Sequence, residues 1–159
     1  MMAPLLQHLP ARPSPAPAPP WDEMFKKDFL FQPKYNGWRG VYDQKTGLAY
    51  NRYGKLSSNQ RLLDERMARV KIPARYVDLE IMGLRTKTGK ETVIVLDAFD
   101  PDNPKPIQER IDDFGHIEVA GADIRNGRTY RVWNIWFSGI HKACDIMKHA
   151  NNQNMGILS

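Results

Sequence analysis

The sequence contains one cysteine, few histidines and no long apolar run, and each scarcity excludes a class of protein. A single thiol, Cys144, cannot form an internal disulfide, which excludes a small scaffold held together by disulfides; we expect this side chain to pack in the core. The four histidines show no ligand spacing with each other or with the cysteine, which argues against a zinc site. No apolar stretch approaches the length of a transmembrane helix, and no signal-peptide pattern is present, so we expect no membrane partner.

Proline is concentrated near the N-terminus, where residues 11–20 read Ala-Arg-Pro-Ser-Pro-Ala-Pro-Ala-Pro-Pro. Proline removes backbone hydrogen-bond donors and favours extended polyproline conformations. We therefore predict a disordered Pro/Ala-rich tail over 1–20 and a single folded domain over 21–159. The remaining length is sufficient for one sizeable hydrophobic core.

Positive charge exceeds negative charge, with a formal net charge of +5 and an isoelectric point near 9.4. This balance suits a polyanionic partner, because lysine and arginine contact phosphates. Ordinary solvated surface charge explains it equally well, so composition alone leaves both interpretations open.

The hydrophobic periodicity predicts an α+β fold with mainly antiparallel sheets flanked by helices. Short connections between the strands leave no room for parallel crossovers. Ser57 and Gln60 have the spacing of a capping box at the start of the first of these helices. The predicted strands cover 29–35, 38–43, 48–52, 76–82, 91–99, 117–119 and 129–136, and the predicted helices cover 58–70, 106–114 and 140–150.

One lysine lies near the end of the first predicted strand, close to the turn that leads into the second. Lys34 comes shortly before Asn36-Gly37, a pair that favours a tight hairpin turn because both residues tolerate positive φ. A lysine held there against aromatic side chains would lose part of its solvation, and a neutral amine is a nucleophile. An ordinary surface lysine beside a hairpin is the alternative.

Two carboxylates, Asp78 and Glu80, alternate with apolar residues in the predicted strand 76–82 and so share one sheet face. A solvent-facing polar surface is one explanation of this pattern. A binding or catalytic face is the other.

The stretch Lys34-Tyr-Asn-Gly-Trp-Arg39 resembles the Lys-x-Asp-Gly-x-Arg motif of covalent nucleotidyltransferases, the superfamily of ATP-dependent DNA ligases, RNA ligases and mRNA capping enzymes. It is most similar to the version in small phage or bacterial DNA ligases. Further similarities follow in the family's order over roughly 28–114. They are an Arg-x-Gly-like segment at 51–55, an acidic strand at 77–81, a core strand at 93–100 and a Pro-Leu-x-Glu-Arg-like helix at 106–110.

The resemblance implies an adenylation domain of DNA ligase type, with two antiparallel sheets around a nucleotide cleft. It implies ATP and Mg²⁺ as cofactors, a lysine–AMP intermediate, and nicked duplex DNA or RNA as the partner in DNA repair or replication. The corresponding location is the cytoplasm, or the host cytoplasm if the chain is viral. An RNA ligase relative, a capping-type guanylyltransferase and a non-catalytic remnant that binds nucleotide or nucleic acid are the alternatives.

By the same resemblance Lys34 is the catalytic nucleophile, expected in one cleft with Arg52 and Glu80. Arg39 and Arg52 contact phosphate or ribose, and Glu80 binds the ribose hydroxyl or the metal. Phe99 stacks on adenine, although the family's aromatic-Asp pair could correspond either to Leu96-Asp97 or to Phe99-Asp100.

Three departures from the family pattern accompany these similarities. Asn36 replaces the usual aspartate, and Met155-Gly-Ile-Leu158 resembles the family's Glu-Gly strand with methionine at the glutamate position. Methionine cannot hold Mg²⁺, which requires oxygen ligands. No Lys-x-Lys motif follows, so we expect a C-terminally incomplete adenylation domain with low activity on its own.

Overall fold

A computed structural model of the chain describes residues 29–85, 89–120, 126–137 and 155–158. The predicted tail 1–20, the helix at 140–150 and Cys144 lie outside these residues. The described strands are β1 Phe29–Pro33, β2 Trp38–Asp43, β3 Leu48–Asn51, β4 Tyr76–Met82, β5 Thr92–Phe99, β6 Thr129–Arg131, β7 Ile135–Phe137 and β8 Met155–Leu158, and the described helices are α1 Gln60–Met67 and α2 Ile107–Asp113.

The described residues fall into two compact units. The first unit spans 36–131 and contains a five-stranded sheet in the order β3-β2-β4-β5-β6. All pairs in this sheet are antiparallel except β5 with β6, which run parallel. The predicted α+β class is therefore confirmed, with a mixed rather than purely antiparallel sheet.

Apolar residues bury one face of this sheet beneath α1. Leu79 in β4 and Leu63 in α1 are both fully buried, and each approaches Gly40 in β2, where the missing side chain leaves room for them. Alternating β4 residues thus point their apolar side chains toward the helix, as the period of two predicts. The start of β5 is buried on both faces, as its unbroken run of apolar residues from Val93 to Val95 requires.

The second unit contains the described residues 29–35, 132–137 and 155–158. Here β1 lies between β7 and β8 and pairs antiparallel with both. The strand predicted over 129–136 is in fact two short strands, β6 and β7, that belong to different sheets. Val119 forms only an isolated bridge with Arg131, so the strand predicted at 117–119 is wrong.

The hairpin predicted at Asn36-Gly37 is also wrong. β1 and β2 belong to different sheets, because β1 takes its backbone partners from the C-terminal part of the chain and β2 pairs with β3 and β4. Gly37 does not have the positive φ that the predicted turn requires. The predicted capping box is wrong as well, since Asn59 is the N-cap of α1 and Ser57 Oγ accepts from the Asn59 N–H.

Gly37 is required by close packing instead. A Cβ added to it would lie 2.4 Å from the Ile81 carbonyl oxygen and 2.7 Å from Met82 Sδ. We expect Gly37→Ala to lower the free energy of unfolding by about 1–3 kcal/mol, because the backbone of β4 would have to shift. Urea denaturation monitored by tryptophan fluorescence measures the change.

Gly115→Ala is the matched control for this substitution. A Cβ at Gly115 would lie 3.4 Å from the Asp112 carbonyl oxygen, an ordinary van der Waals contact, so its effect should be small. Equal losses of stability in the two variants would contradict the close approach of Gly37 to β4.

Candidate functional site

A charged face of the five-stranded sheet contains two of the predicted site residues. Arg39 in β2 and Glu80 in β4 are direct register partners, and directly opposed residues of an antiparallel pair project to the same face. Val41 is likewise opposite Asp78, so both predicted carboxylates lie on the face that carries Arg39. The prediction that the two acids share a face is thereby confirmed.

Arg39 and Asp78 form a bidentate ion pair between β2 and β4. Arg39 Nε donates to Asp78 Oδ1 at 2.9 Å, and Nη2 donates to Oδ2. The Asp78 side chain is 6% exposed and the Arg39 side chain 24% exposed. Burial raises the pKa of the Asp78 carboxyl, and the guanidinium opposes that shift. A solvent-facing surface is therefore the wrong explanation for Asp78.

Glu80 is tied to the first motif through the backbone. The Gly37 N–H donates to Glu80 Oε1 at 3.1 Å, although the two residues are 43 positions apart. Burial raises the pKa of Glu80, while this hydrogen bond and the charge of Arg39 act in the opposite direction. The carboxylate is thus partly desolvated and held in a fixed orientation beside the end of the lysine motif.

A second bidentate ion pair, between Arg110 and Asp97, lies next to the first one on the charged face. Arg110 in α2 donates from Nε to Asp97 Oδ1 at 2.9 Å and from Nη2 to Oδ2 at 3.2 Å. Asp97 is the register partner of Asp78, and the register shifts between Asp78 and Leu79 so that Leu96 is left without a partner. This bulge places Asp97 directly opposite Asp78, so the two carboxylates lie between the guanidinium groups of Arg39 and Arg110.

Arg52 lies at the same end of the sheet as Glu80. It leaves β3 directly after the pair Asn51–Gly40, and Arg39 is the next residue of β2 in the same direction. Its side chain is exposed, donates to the Tyr53 hydroxyl at 2.5 Å and lies over the Tyr53 ring at 4.7 Å. No described contact joins Arg52 to Glu80.

Phe99 lies toward the other end of the charged face. It is opposite Tyr76, four residues from Glu80 along β4, or about 13 Å of extended strand. Its ring stacks on the Tyr76 ring at 5.4 Å between centroids and packs against the apolar cluster around Val41. It also borders a pocket of about 270 Å³ that Arg110 lines. The structure thus separates Phe99 from Glu80 and leaves the choice between the two aromatic-Asp registers open.

Lys34 belongs to the second unit, where it directly follows β1. Its side chain is exposed, so the desolvation expected from aromatic neighbours is not observed. Its backbone neighbour Pro33 is the register partner of Met155 in β8. The strand that resembles the family's Glu-Gly motif therefore pairs next to the lysine. The predicted cleft that joins Lys34 to Arg52 and Glu80 stays a prediction.

The described residues contain no group of three or more His, Cys, Asp or Glu side chains that could hold a metal ion. Mg²⁺ commonly takes one or two carboxylates together with substrate phosphates and waters. The oriented carboxylate of Glu80 fits that mode, whereas Asp78 is engaged by Arg39. Of the helices that the structure describes, none has the length and apolar character to cross a membrane.

The chain was compared with family models and with curated proteins. No family model matches it, and no curated protein matches it.

Sequence reasoning missed the ionic partners on the charged face. Asp78 was recognised as a carboxylate on the face of Glu80, but its pairing with Arg39 was not predicted. Asp97 and Arg110 lie within segments that resemble family motifs, yet neither was assigned a role. The available signal was the presence of oppositely charged residues within the predicted strands and the helix at 106–114, and this signal identifies a partner only once the strand register is known.

Proposed function

We propose that the chain is the adenylation domain of an ATP-dependent DNA ligase-like enzyme, which forms a lysine–AMP intermediate used to seal nicks in duplex DNA. The observation that carries the proposal is the contact between two of the resembling motifs. Gly37, at the end of the lysine motif, donates to Glu80 of the acidic strand, and Arg39 lies opposite Glu80. A hairpin lysine alone would not require this arrangement.

In the proposed reaction the neutral amine of Lys34 attacks the α-phosphorus of ATP. A P–N bond forms, the bond between the α-phosphorus and the bridging oxygen breaks, and pyrophosphate leaves with the electron pair. An oxygen of a 5′-phosphate end then attacks the AMP phosphorus, and the P–N bond breaks so that the lysine amine is released. A 3′-hydroxyl loses its proton and attacks the activated 5′-phosphate, which forms the phosphodiester bond and releases AMP. Arg39 and Arg52 supply guanidinium groups, which suit phosphate or ribose oxygens because of their planar fork.

Glu80 has the orienting role in this proposal. Its carboxylate is held by the Gly37 N–H and binds the ribose hydroxyl or the metal. Bound Mg²⁺ would supply charge neutralisation at the phosphates. Phe99 is proposed to stack on adenine with the ring face opposite to the one that contacts Tyr76.

Incubation with α-labelled ATP or GTP and Mg²⁺, followed by a denaturing gel, tests the proposal. We expect a weak covalent band with ATP and none with GTP, because the motifs are most similar to those of DNA ligases. Met155→Glu should strengthen the band. Residue 155 is the register partner of Pro33, and the substitution would place at the family's glutamate position a carboxylate that can ligate Mg²⁺. A band with GTP alone would favour a capping-type guanylyltransferase.

The non-catalytic remnant is the second candidate, and Met155 favours it because methionine does not ligate Mg²⁺. Equilibrium dialysis with ATP separates the two candidates. Binding of ATP without labelling of the wild-type chain or of Met155→Glu would establish the remnant. If the chain neither binds ATP nor becomes labelled, both the adenylation domain and a nucleotide-binding remnant are refuted.

A further inference from the structure

A preformed groove lies at the end of the five-stranded sheet remote from the Gly37–Glu80 contact. One wall is the turn after β2, with Gln44 and Lys45, and the other is the segment 70–75 between α1 and β4. The groove has a volume of about 580 Å³. We call it the basic groove, because Lys45, Lys71 and Arg75 line it and no acidic residue does.

Hydrogen bonds fix the two walls to each other. Gln44 Nε2 donates to the carbonyl oxygens of Ile72 at 2.9 Å and of Ala74 at 2.5 Å. The Gln44 N–H also donates to the Arg75 carbonyl oxygen at 2.8 Å. These bonds fix the turn after β2 in position against the segment 70–75. They also occupy three carbonyl oxygens that would otherwise repel an anion at this point.

The cations of the basic groove have two different roles. Arg75 pairs with the buried Asp43, with Nη2 at 3.2 Å from Oδ2, and so neutralises the carboxylate beneath the groove. Lys45 and Lys71 are exposed, and no ion-pair partner is found for either within the described part of the chain. The two lysines, one on each wall, therefore give the groove its positive charge.

We propose that the basic groove binds the phosphodiester backbone of duplex DNA through Lys45 and Lys71. Lysine contacts phosphate as a point charge and needs no defined base, so the contact is independent of sequence. The lining has no aromatic residue to stack on bases, and its remaining side chains are apolar or amide. A polymer with regularly spaced charges can bridge both walls at once. This contact deepens the proposed function by naming where the duplex is held away from the nucleotide.

The test measures binding of the full chain to a fluorescently labelled duplex of about 20 base pairs by anisotropy across a salt series. It is made in the Lys34→Ala background, so that failure of nucleotide transfer and failure of the groove are separate results. Lys45→Ala/Lys71→Ala should weaken binding about tenfold or more. It should also reduce the slope of log affinity against log salt by about 1.8, since each phosphate contact contributes about 0.9.

Lys90→Ala/Arg128→Ala is the matched control. Both of its residues are exposed, and they lie near the start of β5 and β6 rather than at the groove. The two double variants change the formal charge equally, so the control should retain the wild-type slope. Equal weakening in both variants, or no binding by the parent chain at low salt, would overturn the proposal. So would binding in the groove of a phosphopeptide but not of the duplex.

Discussion

Lys34→Ala should abolish the covalent nucleotide adduct, and Lys34→Arg should abolish it equally. Alanine removes the amine, and the arginine guanidinium stays protonated at every accessible pH and offers no nucleophilic lone pair. The measurement is the labelled band on a denaturing gel, with Met155→Glu as the parent chain if the wild-type band is weak. A phosphoramidate is acid-labile and base-stable, so treatment of the gel slice with acid and with base identifies the bond.

Lys90→Ala is the control for this loss, because it removes an exposed lysine outside the resembling lysine motif. Its band should match that of the parent chain. A band that persists in Lys34→Ala would assign the nucleophile to another residue and refute the carried-over role of Lys34. An adduct that survives acid and is lost in base would exclude a lysine phosphoramidate.

The local sequence was sufficient to predict two central strands of the first unit, although it failed at 117–119 and at the end of β6. β2 and β4 have the predicted bounds of 38–43 and 76–82, and in β4 the apolar residues alternate with Asp78 and Glu80 as the period of a strand requires. The shared face of Asp78 and Glu80 follows from the same period of two. These inferences needed no knowledge of distant parts of the chain.

Strand pairing was not predictable in the same way. β1 was assigned to a hairpin with β2, but its partners β7 and β8 come from more than a hundred residues later in the chain. The turn residues Asn36-Gly37 favour a hairpin only when both flanking strands have no better partner. Gly37 meets a different requirement, the close approach to β4.

In the candidate site, too, some features were predictable from the local sequence and others depended on strand pairing. The sequence identified Arg39 and Glu80 through a resemblance, and their register confirms that they are neighbours. The Asp97–Arg110 pair depends on a bulge at Leu96, which has no glycine or proline to indicate it. Its discovery required the structure.

Asp78→Ala should lower the free energy of unfolding by about 3 kcal/mol. Breaking a buried ion pair from one side costs about 3–5 kcal/mol, and Asp78→Ala removes both hydrogen bonds and the attraction that the carboxylate gives to Arg39. The lower end applies because the Arg39 side chain is 24% exposed and can be partly hydrated. Urea denaturation measures the loss. Asp64→Ala is the matched control. Among the described hydrogen bonds, this exposed carboxylate accepts one, from the Tyr42 hydroxyl at 2.9 Å.

The control should lose at most about 1 kcal/mol, as expected for one exposed hydrogen bond. The double variant Arg39→Met/Asp78→Leu replaces both members of the pair by apolar side chains and should recover most of the stability lost in Asp78→Ala, because such a replacement of a buried ion pair is often close to neutral. Recovery would show that the penalty comes from removing one member of the ion pair and not from the packing around β4. If the double variant is as unstable as Asp78→Ala, the loss arises from packing around β4, and the ion pair is not what holds Arg39 beside Glu80.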